Sequence, residues 1–479
     1  MDGAGNITRY KAHLVAKGYS QIPGLNYTDT FAPVTRLESV RLLLGLAAKH
    51  DWEICQINVK TAYLYGELDE EIHMEPPEGF VWKEGHVWRL KKVLYGLKQA
   101  GRQWYANISN TLKKFGLKQV VSSPDTFVTH KVVDGQRCIL VLLVYVDDLL
   151  PMGDKVLMDE FESYIGQYYQ VSVLGDASHF LGICIGRDHK NCTLSLDQVK
   201  FADWILKIFV KDHLVDHDTP MSNQARLVKS DDEATAEDKR LYQMVIGSVM
   251  YLMLGTRPDL GHAVGVLSRF SSNPSHHQFN ALSRLLGYIQ ATWRRYLFFN
   301  PDGDVGDPIG YTDTDFAGDK DGSKSMSGYA FFIHGAMFSW QSKLQSTVAG
   351  STMEAEYIAL YHASLNAVWI RNFLQQLGLD LSSPLTLYCD NNPALHVAMA
   401  EAPHNMTKHF NVKWYIVRQH IKDHVTDVLR CSTEDNKADI LTKALGHSDF
   451  ILKSSELGLH DLPASPNPDV SNYEDAEEQ

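Results

Sequence analysis

The 479-residue sequence is poor in cysteine: Cys55, Cys138, Cys184, Cys192, Cys389 and Cys431 are scattered and form no C-x-x-C pair. That spacing argues against a structural zinc site and a disulfide framework, and it suits a reducing, intracellular setting in which cytoplasm and nucleus are not distinguished. Long apolar runs are missing too. None reaches the ~18 residues a membrane span needs, so no membrane partner is expected. The polar start, Met1-Asp2-Gly3-Ala4-Gly5-Asn6, lacks the apolar stretch of a signal peptide. Basic charge is scarce: the formal net charge is −13, which argues against a generic nucleic-acid binder. The deficit is uneven, however. No Lys or Arg follows Lys453, while seven acidic residues do. Basic positions persist at Arg9, Lys11 and Lys17, at Lys91-Lys92, Lys98 and Arg102, and at Arg284 and Arg294-Arg295. A local basic groove, rather than a basic total, is what nucleic-acid contact requires.

The length implies two to four domains, and 44% hydrophobic residues is typical of folded ones. The most pointed local signal is Tyr145-Val146-Asp147-Asp148 after the branched apolar run Ile139–Val144. Such a run reads as a strand buried on both faces. Two adjacent carboxylates at its end are costly near a core unless a cation lies between them. Hard oxygen ligands suit Mg²⁺.

Periodicity predicts helices over Arg36–Lys49 and Gln103–Phe115, and a strand over Cys55–Tyr65. The charged stretch Ser222–Arg240 reads as a solvated linker, followed by helical sequence from about Leu241 to Tyr296. From Ile309 the pattern becomes βββαβαβα: strands at Gly310–Thr314, Gly328–His334 and Met337–Gln341, a long helix Thr352–Leu377, a strand Leu385–Cys389, helices at Pro393–Ala400 and His404–Asp423, a strand Val425–Arg430 and a last helix Asn436–Leu445. That order predicts an α/β layer with one mixed sheet. The proline-bearing acidic tail, 447–479, reads as disordered.

Several strings occur together in one order: Tyr10–Gly18 (YKAHLVAKG), Thr30–Val34 (TFAPV), Leu94–Ala100 (LYGLKQA), Tyr145–Asp148, Thr256–Asp259 (TRPD), Ser351–Tyr357 (STMEAEY) and Lys437-Ala438-Asp439. In this combination the chain resembles the reverse transcriptase–RNase H region of copia-type LTR retrotransposon polyproteins, over roughly residues 7 to 446. The resemblance implies an α/β and α+β multidomain chain. A right-hand polymerase comes first, with fingers and palm over 7–215 and thumb or connection over 216–305, and an RNase H-like mixed-sheet domain follows over 306–446. It implies RNA template, DNA primer, RNA–DNA hybrid and dNTP as partners, and two Mg²⁺ ions per active site. The oligomeric state stays open.

The resemblance assigns Asp147 and Asp148 to the polymerase metals. The third carboxylate of that set falls on Asn58, a neutral side chain, and this degenerate position implies impaired synthesis. Lys11, Lys17, Tyr63 and Gln99 fall where the nucleotide would bind, with Tyr63 as the aromatic gate under the sugar. Three further departures accompany Asn58: His13 stands for an arginine, Gly101 for a proline, and Pro151 occupies the expected return strand. The second site is complete: Asp313, Glu356, Asp390 and Asp439 match the four carboxylates of an Mg²⁺-dependent nuclease that cuts RNA in hybrids. Glu354 competes with Glu356 because the helix is apolar nearly all round, and the string Glu356-Tyr357-Ile358-Ala359 favours Glu356. His409 is a candidate phosphate contact, and Trp88-Arg89, Arg102–Tyr105 and Trp293–Arg295 are candidates for tracking a template–primer. A fully active RNA-directed DNA polymerase and a non-catalytic nucleic-acid-binding remnant are the alternative readings, and the abrupt start suits a fragment of a longer polyprotein.

Overall fold

In the computed structural model the described residues are 13–80, 83, 85–210, 214–302, 306–379, 381–399 and 408–462. Lys11 lies outside them. Among these residues no helix is long and apolar enough to cross a membrane.

Three larger sheets organise the chain. The first has six strands, in the order Lys118–Gln119, Thr126–Val133, Gln136–Tyr145, Asp148–Gly153, Glu53–Val59 and Val171–Asp176. The apolar run seen in the sequence forms its centre: Leu140–Leu143 are fully buried between two core clusters. The expected strand from Cys55 stops at Val59, and Ala62–Tyr65 forms a 3₁₀ turn instead, because Thr61 takes a left-handed conformation (φ 54°) that ends the ladder. Pro151 sits in the return strand as anticipated. That strand pairs with Gln136–Tyr145 throughout, but its register with Glu53–Val59 lapses across Cys55–Gln56, opposite Leu150–Pro151. The missing proline N–H is thus tolerated at a local gap.

The third sheet is mixed. Its order is Ala336–Leu344, Met326–Ile333, Ile309–Asp315, Leu385–Cys389 and Thr426–Arg430, with the last two pairings parallel. The helix Thr352–Gln376 packs across it and buries Tyr357, Leu360, Ala363, Ala367, Ile370 and Phe373. Ser351 caps this helix by accepting from the Glu354 N–H.

Between them lies a sheet that the sequence did not announce. Its strands are Leu459–Asp461, Arg295–Phe299, Thr193–Asp197, Ile183–Asp188 and His179–Phe180. It joins segments expected to belong to three separate regions. The expectation of disorder from residue 447 therefore fails for 447–461: His447–Ser455 is helical, and Leu459 pairs with Leu297. Phe450, Leu457 and Leu459 are buried, and that apolar gain outweighs the acidic composition of the tail. The predicted last helix also fails. Asn436 donates to the Thr312 carbonyl (3.0 Å) and accepts from the Ala438 N–H (3.1 Å), and only Asp439–Leu441 turns, as a 3₁₀ segment. A side chain that competes this way for backbone groups disfavours a regular helix.

Helix Leu37–His50 ties distant parts of the chain together. Its Arg41, 4% exposed, donates to the carbonyls of Phe338 (2.7 Å), Leu254 (2.6 Å) and Gly255 (2.9 Å) and stacks on Trp340 at 3.8 Å. Burial pulls its guanidinium down to about 9. The string Thr256–Asp259 has a structural task as well. Arg257 meets Asp259 in a fully buried fork at 2.9 and 2.8 Å, and Tyr288 adds a 2.6 Å hydrogen bond to Asp259.

Candidate functional site

The Tyr145–Asp148 segment is a tight hairpin. Tyr145 pairs with Asp148, which leaves Val146 and Asp147 as the turn. Val146 has φ 52°, a position where glycine is usual and a β-branched residue is strained. Two hydrogen bonds hold it there. Trp104 Nε1 donates to the Val146 carbonyl (2.5 Å), and the Val59 N–H donates to the Asp147 carbonyl (2.7 Å). The second bond brings the end of the Asn58 strand under the turn.

Asn58 is in register with Asp148, and its amide Nδ2 donates to Asp148 Oδ1 at 3.1 Å. Residues ninety positions apart thus converge. Around them, Tyr63 meets Tyr95 edge-on (centroids 4.9 Å), and His13 meets Tyr95 at 5.5 Å. Burial, and then the Asp147 charge, raises both phenols. Tyr63 therefore lines the approach to the turn. Gln99 spends its amide on hydrogen bonds within the protein. It is fully buried, accepts from Gln21 (3.1 Å) and donates to the Asn26 carbonyl (3.0 Å) and towards Glu70, a brace for the loop around residues 21–28. Lys17 is exposed at the start of a 3₁₀ turn. Gly101 occupies the first turn of helix Ala100–Phe115, which forms without the proline.

This site fits a pair of cations poorly. One of its three positions presents an amide donor to a carboxylate oxygen that a metal would otherwise take, and that hydrogen bond relieves Asp148 without any ion.

The second site is different. Asp313 lies two residues before the end of strand Ile309–Asp315, beside the parallel strand Leu385–Cys389 that Asp390 directly follows, and Glu356 projects from the long helix. Ligand atoms of Asp313, Asp390 and Asp439 lie within 4.8 Å of one another. Glu356 is 5% exposed and Glu354 is not buried, so the choice between the two falls on Glu356. Burial, then Asp313 and Asp390, pushes the Glu356 carboxyl up to about 10, and burial and Asp439 raise Asp313 to about 6. Glu354 instead bonds the Gly350 N–H (2.8 Å) as part of the helix start.

Two neighbours were missed in the sequence. Thr442 donates its hydroxyl to Asp313 Oδ2, and Lys443 places its ammonium 3.0 Å from Asp439 and 3.9 Å from Asp313. Asp439 and Lys443 are four residues apart, the spacing of an ion pair within a helical turn, and that was the available signal. Two buried oxygens here, Glu356 Oε2 and Asp439 Oδ1, have no hydrogen-bond partner, and only the second has a cation beside it, Lys443 at 3.0 Å. An orphaned, nearly buried carboxylate oxygen facing three more acids is what a hard divalent cation would satisfy, so these residues fit Mg²⁺. His409 falls in helix Lys408–Lys422, but its side chain lies outside the described residues.

Comparison with known proteins follows the same lines. A family profile described as "Reverse transcriptase (RNA-dependent DNA polymerase)" matches residues 2–223. The retrovirus-related Pol polyprotein from transposon TNT 1-94 of Nicotiana tabacum is 39% identical over 469 residues, which is 96% of this chain and 35% of that protein. The Pol polyprotein from transposon RE2 of Arabidopsis thaliana is 36% identical over 96% of this chain and 31% of that protein. The chain thus spans about a third of the length of these curated relatives. Among solved structures, a foamy viral protease–reverse transcriptase in complex with RNA/DNA hybrid superposes with a TM-score of 0.45 at 11% identity, over 80% of this chain and 44% of that one. The sequence relatives carry the family; so loose a superposition does not.

Proposed function

Because this chain belongs to the reverse transcriptase family of copia-type retrotransposon Pol polyproteins, we propose that it cleaves RNA in RNA–DNA hybrids in an Mg²⁺-dependent manner while its DNA synthesis on an RNA template is impaired. The observation that carries this reading is the contrast between the two acidic centres. In one, Asp313, Asp390 and Asp439 gather and Glu356 joins them through Asp390, and in the other Asn58 replaces a charge.

Divalent ions held by Asp313, Glu356, Asp390 and Asp439 would activate water and neutralise charge on the scissile phosphate. The remaining side chains prepare that centre. Thr442 fixes one Asp313 oxygen. Lys443 offsets part of the mutual repulsion of Asp313 and Asp439 and supplies a positive charge near the position of a phosphate. Glu356 is held by its helix with one oxygen unspent. In the polymerase-type centre, Asp147 sits at the tip of a strained turn, with Tyr63 and Tyr95 forming an aromatic wall for a sugar and base. The partners proposed are an RNA–DNA hybrid, a template RNA, a primer and dNTP.

The test pairs cleavage of a labelled hybrid with extension of a labelled primer, both in Mg²⁺. The expected result is cleavage by the parent chain, lost in Asp439→Asn, with little extension. An Asp439→Asn variant that cleaves as well as the parent would place the nuclease elsewhere, and robust extension by the parent would remove the proposed impairment.

A further inference from the structure

Cys389 has no part in the chemistry above, yet it stands at the edge of that centre. It is fully buried at the end of strand Leu385–Cys389, immediately before Asp390. Its Sγ, a Glu356 oxygen and an Asp390 oxygen lie within 4.8 Å of one another. Glu356 is 5% exposed and its Oε2 has no hydrogen-bond partner, so an unspent buried acceptor belongs to this trio. Mg²⁺ takes oxygen ligands and gains nothing from sulfur. Zn²⁺ and Cd²⁺ prefer a thiolate and accept carboxylates beside it, in a four-coordinate shell that water can complete. Metal–ligand bonds of 2.0–2.3 Å require ligand atoms to approach one another more closely than the 4.8 Å bound, a contraction that side-chain rotation can supply.

We propose that Cys389, Glu356 and Asp390 form a soft-metal site, selective for Zn²⁺ or Cd²⁺ over Mg²⁺, that overlaps the hard-metal nuclease centre. As the metal–sulfur bond forms, the Cys389 thiol releases its proton to solvent. The bound ion then holds two carboxylates that the nuclease also needs, so Zn²⁺ inhibits cleavage. That inhibition rests on the nuclease reading; the binding does not.

The experiment uses the full chain, stripped of metal and kept reduced, with Cd²⁺ as the probe. The readout is the ultraviolet sulfur-to-cadmium charge-transfer band, with Zn²⁺ competing the band away. Other free cysteines contribute background, so the difference between parent and variant is what counts. Cys389→Ser should remove one thiolate's worth of the band. Loss of an outer-shell partner typically costs 10–100-fold in metal affinity, so loss of this direct ligand should weaken Zn²⁺ by ~100-fold or more. Cys431→Ser should leave the strong phase intact, although its N–H bonds the Cys389 carbonyl. Glu356→Gln keeps the thiol and should weaken Cd²⁺ by at least ~10-fold. It decides the matter if Cys389→Ser fails to fold by circular dichroism. A band unchanged in Cys389→Ser, an affinity unchanged in Glu356→Gln, or no strong phase in the parent would each overturn the site. A strong phase in a chain that cleaves no hybrid in Mg²⁺ would overturn the nuclease reading and leave the site standing.

Discussion

Replacing Asn58 by Asp converts a hydrogen bond into a charge repulsion at a defined distance. In the parent, Asn58 Nδ2 donates to Asp148 Oδ1 at 3.1 Å. In Asn58→Asp a carboxylate faces a carboxylate at about that separation, with Asp147 next in the chain. Coulomb's law gives about 1 kcal/mol of repulsion at the dielectric of water and about 5 kcal/mol at an effective value of 20. Both groups are half-buried, so the cost lies between these limits, with the lost hydrogen bond adding about 1 kcal/mol. Without divalent metal the variant should therefore melt lower than the parent. With Mg²⁺ it should recover, because a cation between the oxygens replaces repulsion with coordination. A restored ligand charge contributing ~3–5 kcal/mol at the transition state corresponds to roughly 10²–10⁴ in rate. Primer extension should rise by less than that, because His13 and Gly101 also depart from the family pattern. Thermal melts in EDTA and in Mg²⁺, alongside primer extension, test the reasoning. If Asn58→Asp melts with the parent in EDTA and gains nothing from Mg²⁺, the electrostatic account of this position is wrong.

Three further outcomes follow from other parts of the molecule. The folded-state values of about 6 for Asp313 and about 10 for Glu356 both exceed the unfolded ones, so their contribution is fully present at low pH and is lost as pH rises through those values. In EDTA, Glu356→Gln should thus gain in melting temperature over the parent as pH rises from about 5 to 8. A difference that does not change with pH would contradict this. In Asp259→Asn, Arg257 keeps its charge at 1% exposure without a counterion, which should cost ~3–5 kcal/mol, read by urea unfolding. Burial opposes the Asp259 charge, but Arg257, Arg295 and Tyr288 hold its carboxyl below the usual range, so this contribution is lost on acidification and not on raising the pH. Arg41→Met leaves three carbonyls without their donor and should cost about 2–4 kcal/mol, the relief of a buried cation offsetting part of the loss. Limited proteolysis should show loosening between helix Leu37–His50 and the strand Ala336–Leu344, and an unchanged pattern would argue against Arg41 as their tie.

What could be read in the sequence was what local pattern controls. Ile139–Val144 announces its burial by composition, whereas Asp313 and Asp390 were legible only through the resemblance to the family. The choice of Glu356 over Glu354 needed the family string, because the helix is apolar nearly all round and periodicity does not separate the two. Contacts set by distant segments left no local trace. Leu459–Asp461 is a strand only because Arg295–Leu297 offers an edge, and its own neighbourhood is acidic and proline-rich. Arg41 looks like an exposed helix residue until Phe338 and Leu254 arrive from elsewhere in the chain. Gln99 belongs to a string read as nucleotide-binding, yet in the fold its amide braces the loop around residues 21–28, a task that motif position alone does not reveal.

The two acidic centres also differ in what each does without metal, and this difference bears on how the first accommodates Asn58. In the second centre Lys443 and Thr442 satisfy parts of Asp313 and Asp439, yet Glu356 keeps an oxygen that no protein group meets. Its electrostatic deficit is relieved only by a proton or by a cation, so the geometry retains a demand for metal. In the first centre the Asn58 amide meets Asp148 directly, and the bonds from the Val59 N–H and the Trp104 indole hold the strained turn whether or not an ion is present. Asparagine thus stabilises the resting hairpin by removing the repulsion that makes such a site receptive to Mg²⁺. Asparagine at this position is for that reason compatible with, and even favourable to, the fold around it, and on the proposed reading the same side chain lowers synthesis while leaving the hairpin intact.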